Sequence, residues 1–452
     1  MIDSADLPAF ASEIRFPDLP RDVVSQVQRC LLDLIGVAAA GSRTSLAAIA
    51  SGWAATQMCS HEAGARMLLD GRRVSVAGAA FAGASMIDAF DAHDGHPLTK
   101  GHAGVAVLPA LLAYLDGAGA LRDRNDGREF ITCLCLGYEI ATRAGMALHA
   151  TTSDYHCSGA WNAVACAAIG ARLFALDRDR FRHALGIAEY FGPRGQILRV
   201  CENPTMLKDG SGWGALAGVS AALLARDNFT GAPAVTVEGD ETRTQWHDLG
   251  TRWRIREQYF KPYPVCHWAQ QAIAAALALR RDHGFAADDV ASVAIETFAE
   301  AVALGSGCPL PRNTEEAQYS LRFPVAAALV FGRVGGDEVN APGLTDPRVQ
   351  RLLLTMTLRE DAEFSRRFPA QRWARVRVAL NDGRTLISDP AQARGIPENP
   401  LTDEELNGKF RELTRPVLGE ARTARIESLV GALATDPESL SVLIDEVLTP
   451  AG

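Results

Sequence analysis

Apolar positions recur at helical spacing through the first half of the chain. Between Asp22 and Gly41, the residues Val23, Val24, Val27, Cys30, Leu31, Leu34 and Ile35 fall at the three-and-four spacing of one helical face, and Gly41 is placed to stop the helix. The runs 159–176 and 212–225 are built from Ala, Gly and other small residues and are apolar nearly all round. Such runs predict helices buried between other helices, with axes that approach closely. The pattern therefore predicts packed helices up to about residue 225. After about residue 266 it changes. Residues 290–298 alternate as a strand does. In 374–388, Val376, Val378 and Leu380 alternate with polar residues, Asn381-Asp382-Gly383 makes a tight turn, and Leu386 continues the return strand. Helical runs such as 269–281 sit between these strands, which predicts a smaller α+β unit. Pro397 and Pro400 mark its end, and Thr402 with Glu405 forms a capping box from which helix resumes.

Composition narrows the possibilities. A chain of 452 residues exceeds one small core, so two domains are expected. A net charge of −9 argues against a nucleic-acid or anionic-membrane surface, so any anionic substrate must meet locally gathered cations. Nine cysteines without a regular framework suit a reducing compartment, and a cytoplasmic location is expected. Asp3 and Asp6 precede the first basic residue, Arg15, the wrong order for a secretory signal. The longest apolar stretches read as shorter than a bilayer span, so no membrane partner is expected.

Chemistry-bearing residues are densest at 88–104, which holds Asp88, Asp91, His93, Asp94, His96, Lys100 and His102 on a loop punctuated by Gly95, Pro97, Gly101 and Gly104. Three readings compete. One is a solvated polar loop with capping aspartates. A second is a metal site, but His93 and His96 lack a recognised ligand spacing. The third, which we favour, is acid–base chemistry, because histidine titrates near neutral pH. His156 stands just before an apolar helix, a place where a lone histidine is more often structural than catalytic. Lys208 precedes Gly210, Gly212 and Gly214 and a helix. No strand comes before them, so a dinucleotide loop is disfavoured. A lysine beside free amides at a helix start is placed to hold a carboxylate, and the alternative is a solvated side chain. Lys261, Tyr263, Cys266 and His267 lie on a proline-stiffened segment at the expected domain junction, where pockets are favoured, or form a plain hinge. There is no P-loop, H-E-x-x-H, serine-hydrolase elbow or iron–sulfur cysteine set.

These segments, in this order, resemble the MmgE/PrpD family, which includes methylcitrate dehydratases, cis-aconitate decarboxylases and iminodisuccinate epimerases. The resemblance runs nearly end to end, and its most specific pieces are DAHDGH…KGHAG, YHCSGAW, MLKDGSGWGA, FKPYPVC and NTEEAQYSLRFPVAAAL. It implies a mainly α fold, with a large all-helical domain built from both chain ends (1–266 and 400–452) and an inserted α+β lid domain (267–399). It also implies a homodimer, and an active site between helical domain and lid with neither metal nor organic cofactor. By motif, Asp91, His102, His156 and Lys208 match the family's catalytic positions, and Lys261 matches the lysine opening its K-x-x-P motif. Lys100, His93, His96, His267 and Tyr319 are expected to join Lys261 in binding substrate.

Three departures qualify the match. Cys266 stands where the decarboxylases have a histidine, with His267 one place along. Phe323 stands where relatives often carry a tyrosine, with Tyr319 one helical turn earlier, and G-H-A-G replaces H-P-S-G. The chemistry left in common is proton abstraction next to a carboxylate in a small di- or tricarboxylate. Dehydration leads, with epimerisation or decarboxylation by the same residues as alternatives. A catalytically inactive binding or assembly protein of the same fold is the rival from another class.

Overall fold

A computed structural model describes residues 6–60, 64–117, 126–304 and 308–451. The first five residues, Asp3 among them, lie outside the described part.

The small-residue helices form the centre of the larger core. Val76–Phe90, Gly104–Gly117, Gly159–Leu173 and Ser211–Arg226 pack against one another with nearly every side chain buried or half-buried. Their glycines explain the close approach. A Cβ at Gly214 would lie 2.5 Å from the Gly159 carbonyl oxygen, so these two helices meet backbone to backbone. The helix expected to stop at Gly41 spans Arg21–Gly41. It is long and apolar enough to cross a membrane by composition, contrary to the reading of short apolar stretches. Most of it is buried in the core, and it carries Asp33, whose Oδ1 lies 2.6 Å from Lys409 Nζ. That packing is a core helix's.

One hydrophobic cluster runs from Leu7 to Phe260 and takes in Leu401 to Leu448. A second gathers Val265 to Leu380, together with Val200 and Cys201 from the short helix Ile197–Glu202. The tail helix Asp403–Ala432 packs on Arg21–Gly41, and its start carries the expected capping box, with Thr402 and Glu405 exchanging hydrogen bonds.

Strands are few. β1 (Ala65–Arg66) and β2 (Arg73–Val74) form a small antiparallel pair. β3 (Val290–Thr297), β4 (Met356–Glu360), β5 (Ala374–Leu380) and β6 (Thr385–Ile387) form a sheet of order β4-β3-β5-β6. β3 pairs parallel with β4, and β5 pairs antiparallel with both β3 and β6. The inward set Ala374, Val376, Val378 and Leu380 alternates strictly along β5, and Gly383, at φ +91°, turns the chain into β6. One face of this sheet is covered by the His267–His283 helix. That helix begins at the junction between the two cores.

Candidate active site

The cleft between the two cores is built from three sources. The helical core contributes Asp91, Lys100, His102 and Asp209, and the segment joining the two cores contributes Tyr259 and Lys261. The smaller core contributes Cys266, His267, Tyr319 and Arg372. Backbone strain marks several of these places. Asp91 ends the Val76–Phe90 helix in the left-handed region (φ +55°), and Lys100 and Lys208 also have positive φ (+53° and +47°). Non-glycine residues are held there only when their surroundings over-determine them.

Asp91 is held by Lys261. The ammonium lies 2.6 Å from Asp91 Oδ1 and 3.1 Å from its carbonyl oxygen, with both side chains buried. Burial works against the charged lysine, yet Asp91 overrides it and raises Lys261 above its ordinary range. The ring of His102 is oriented by the Asp94 carbonyl, which accepts a hydrogen bond from Nδ1. A carbonyl only accepts, so the proton of the neutral ring sits on Nδ1 and Nε2 is the basic nitrogen. Burial, then Lys261, push His102 well below the usual histidine range, so it is neutral at pH 7. The His102 amide donates to Ser158 Oγ at 2.9 Å, and its carbonyl accepts from Asn162 Nδ2 at 3.0 Å.

The same logic fixes His267. Arg372 Nη1 lies 2.6 Å from its Nδ1. Guanidinium only donates, so Nδ1 accepts and the proton is on Nε2. Burial and then Arg372 hold this ring well below the usual range. Tyr259 packs against His267 at 3.9 Å between ring centroids. Across the cleft, Lys100 stands over the Tyr155 ring with Nζ 3.8 Å from the centroid. Burial brings Lys100 down to about 8.

Six of the ten residues singled out in the sequence therefore line one cleft: Asp91, Lys100, His102, Lys261, His267 and Tyr319. The other four stand behind or beside it. Lys208 is buried, not solvated, donates to Gln318 Oε1, and has its Nζ 5.4 Å from the Tyr319 ring centroid. The amides beside it do receive a carboxylate, but it is the chain's own. Asp88 Oδ2 accepts from the amides of Asp209 and Ser211 at 3.2 and 3.3 Å. His93 is fully buried behind His102, with ring centroids 4.2 Å apart. His96 is engaged by Glu257 at 3.0 Å. His156 is half-buried outside the cleft lining, with Nδ1 3.0 Å from the Asp154 carbonyl and its ring stacked on His149.

Tyr319 falls in the break between the helices Thr314–Gln318 and Arg322–Phe331, which turns it into the cleft, whereas Phe323 is buried in the smaller core. Asp91, His93 and His102 offer donor atoms within 4.8 Å of one another. The Lys261 ammonium already neutralises Asp91, and a metal ion bound there would lie beside that charge.

Sequence reasoning missed Asp209, Tyr259 and Arg372. Tyr259 and Asp209 each sit within two residues of a motif lysine and could have been found by extending those motifs. Arg372 has no local signal, and only the fold brings it beside His267.

Comparison with known proteins identifies the family of the chain. The MmgE/PrpD N-terminal domain matches residues 5–255, and the MmgE/PrpD C-terminal domain matches 263–435. The cis-aconitate decarboxylase-like protein oryM of Aspergillus oryzae is 26% identical, over 97% of this chain and 96% of its own. A cis-aconitate decarboxylase of Aspergillus terreus is 24% identical, over 95% of this chain and 93% of its own. A mitochondrial 2-methylcitrate dehydratase of Yarrowia lipolytica is 24% identical, over 62% of this chain and 57% of its own. With both family domains matched across more than half of its length, this chain belongs to the MmgE/PrpD family.

Proposed function

We propose that the protein removes a proton from the carbon next to a carboxylate in a small di- or tricarboxylate, and that loss of a β-hydroxyl follows. It would then be a lyase of the dehydratase kind that needs neither metal nor organic cofactor. The supporting observation is the tautomer of His102. A neutral ring, fixed through Nδ1, leaves its basic Nε2 in a cleft that also holds Lys100, Lys261 and Arg372. The α-proton of a carboxylate is weakly acidic, and its removal leaves an enediolate with two negative charges. Fixed cations in a site shielded from water stabilise such charge without reorganising. The net charge of −9 makes this local gathering of cations necessary. The same reading has the protein working in the cytoplasm as a homodimer, without a nucleic-acid or membrane partner.

Decarboxylation is the second reading. It is favoured by the names of the two relatives that cover nearly the whole chain. The cations would serve both reactions, because each passes through a carbanion beside a carboxylate; in decarboxylation that carbanion forms as the C–C bond to the departing carbon dioxide breaks, and it then takes a proton.

The deciding experiment incubates the purified protein with malate, citrate, 2-methylcitrate and cis-aconitate in deuterated water, with and without EDTA, and follows proton NMR. Deuterium at the carbon next to a carboxylate together with an alkene product is the expected outcome. Carbon dioxide with a deuterated product would favour the second reading. Absence of exchange and of product with every probe would refute both. Activity lost to EDTA and restored by one divalent metal would refute the metal-free part.

A further inference from the structure

Proton abstraction needs a partner that returns a proton, and the cleft contains a carboxyl poised for it. Asp209 lies on the turn that enters the Ser211–Arg226 helix and lines the same cleft as His102. Its two oxygens are treated differently. Oδ2 accepts a hydrogen bond from Ser158 Oγ, whereas Oδ1 is buried with no partner among the described residues. Ser158 Oγ also accepts from the His102 amide, so two consecutive hydrogen bonds tie Asp209 to His102. A Cβ on Gly101 would strike Ser158 Oγ at 2.3 Å, so the glycine admits this close linkage. An ionised Asp209 would leave a charged oxygen buried without a hydrogen bond, which is costly. With Oδ2 already accepting, the proton of the acid form sits on Oδ1.

We infer that Asp209, in its acid form, is the proton donor of the reaction, so that His102 Nε2 takes the α-proton and Asp209 Oδ1 protonates the departing group. This rests on the proton-abstraction reading. In dehydration, the C–H bond breaks as an N–H bond forms on His102. The freed electron pair makes the C=C bond while the C–O bond to the β-hydroxyl breaks. The oxygen leaves as water, carrying the Asp209 proton. His102 is left as imidazolium and Asp209 as carboxylate, and passage of one proton between them through solvent resets the site. In decarboxylation the same proton goes to carbon.

The electrostatics agree. Burial brings Asp209 up to about 6, against the hydrogen bonds from Ser158, with Asp91 adding to the rise and Lys261 opposing it. Asp88, on the neighbouring helix, is brought up to about 7 by burial and then by Asp209 itself. Lys208 beside it and Cys157 also face this group. An arriving polycarboxylate adds negative charge, which raises the acid further toward the protonated form. His156, expected from the sequence resemblance to join the site, stands outside the cleft lining and leaves the donor's place open.

The test is Asp209→Asn, which keeps shape and removes the proton. With malate, citrate and 2-methylcitrate as probes, α-carbon deuterium exchange should stay within about threefold of the unaltered protein, while elimination falls by roughly 10²–10⁴-fold, the usual range for lost acid help. A leaving group that needs no proton should rescue it, so elimination of chloride from 2-chlorosuccinate should differ by less than about tenfold between D209N and the unaltered protein. The basic limb of the pH profile for elimination should also disappear. Elimination that persists in folded D209N overturns the assignment, and so does loss of exchange together with elimination. If D209N does not fold, Asp209→Glu, which shifts the acid by one methylene, replaces it with the same split expected and the same outcomes overturning it. Absence of exchange in the unaltered protein would instead refute the parent reading, and the assignment with it.

Discussion

His102 is where the chemistry is most constrained. Its neighbours fix which nitrogen holds the proton, and burial fixes its charge state. His102→Ala should lower kcat by roughly 10²–10⁴-fold with KM changed far less, because the ring acts on the proton and not on the carboxylates. The sign of the pH dependence follows. The base must be neutral, and its pKa is depressed below the ordinary 6.5, so the acid limb of the profile should lie below about 6.5, while the fall at higher pH belongs to Asp209. A kcat/KM profile on an identified substrate checks this, and an acid limb above 7 would contradict it. Lys208 is a case where the structure removes one of two sequence readings, because its side chain is buried and not solvated. A lysine before a glycine turn reads as solvated or as a carboxylate clamp, and Gln318, distant in sequence, reaches its ammonium and keeps it out of bulk solvent. The amides beside it were readable as an anion site, but Asp88, three residues before Asp91, already fills it.

Elements carry these residues into register. The segment joining the two cores exchanges backbone hydrogen bonds with the loop that carries His102, Gly95 N to Tyr259 O at 3.0 Å and Tyr259 N to Gly95 O at 2.7 Å. Phe260 N donates to Gly395 O at 2.9 Å, so the segment bearing Lys261 is clamped from both sides. The tail helix adds a third support. Lys409 reaches back to Asp33 Oδ1 and to the Ala92 carbonyl, both at 2.6 Å, and so braces the turn that follows Asp91. Lys409→Ala leaves Asp33 buried without its cation and should cost about 3 kcal/mol in urea unfolding. Because the Ala92 carbonyl also loses its donor, kcat should fall as well, while a surface variant such as Lys409's neighbour Glu412→Ala should leave both near normal. An unchanged midpoint for Lys409→Ala would refute this bracing role. At this scale the sequence was most informative. Period-two alternation located β3 and β5, and the Thr402–Glu405 box located the tail helix, because these signals are local. The clamp at Gly395 and the reach of Lys409 depend on long-range packing, and no local pattern encodes them.

At the scale of the whole molecule, one face lacks a partner among the described residues. Ile49, Trp53, Met206, Leu207 and Trp213 line a shallow apolar groove, and Trp213 continues into a second one with Phe191 and Leu224. All seven are large and exposed, with Leu207 at 71% and Trp213 at 52%. Phe81 meets Trp53 and Trp213 edge to face at 5.2 and 5.4 Å, and the two tryptophans lie tilted at 5.9 Å, which holds the patch rigid. A protein with net charge −9 repels its own copies over most of its surface. In these two grooves the only charged lining residues are Asp88 and Lys208, both buried, so a second copy could meet the face across a two-fold axis without like-charge contact. That is the physical basis for the homodimer proposed above. Its consequence is functional, because the face includes Lys208, Gly210 and Ser211, the turn that carries Asp209. Light scattering at micromolar concentration should give about twice the mass of one 48.4 kDa chain. Trp213→Glu, which places one charge on each side of the axis, should give the single-chain mass and lower kcat by an order of magnitude or more as the turn loses its support. A single-chain mass for the unaltered protein would refute the dimer. A Trp213→Glu protein that stays dimeric would move the interface elsewhere on the surface.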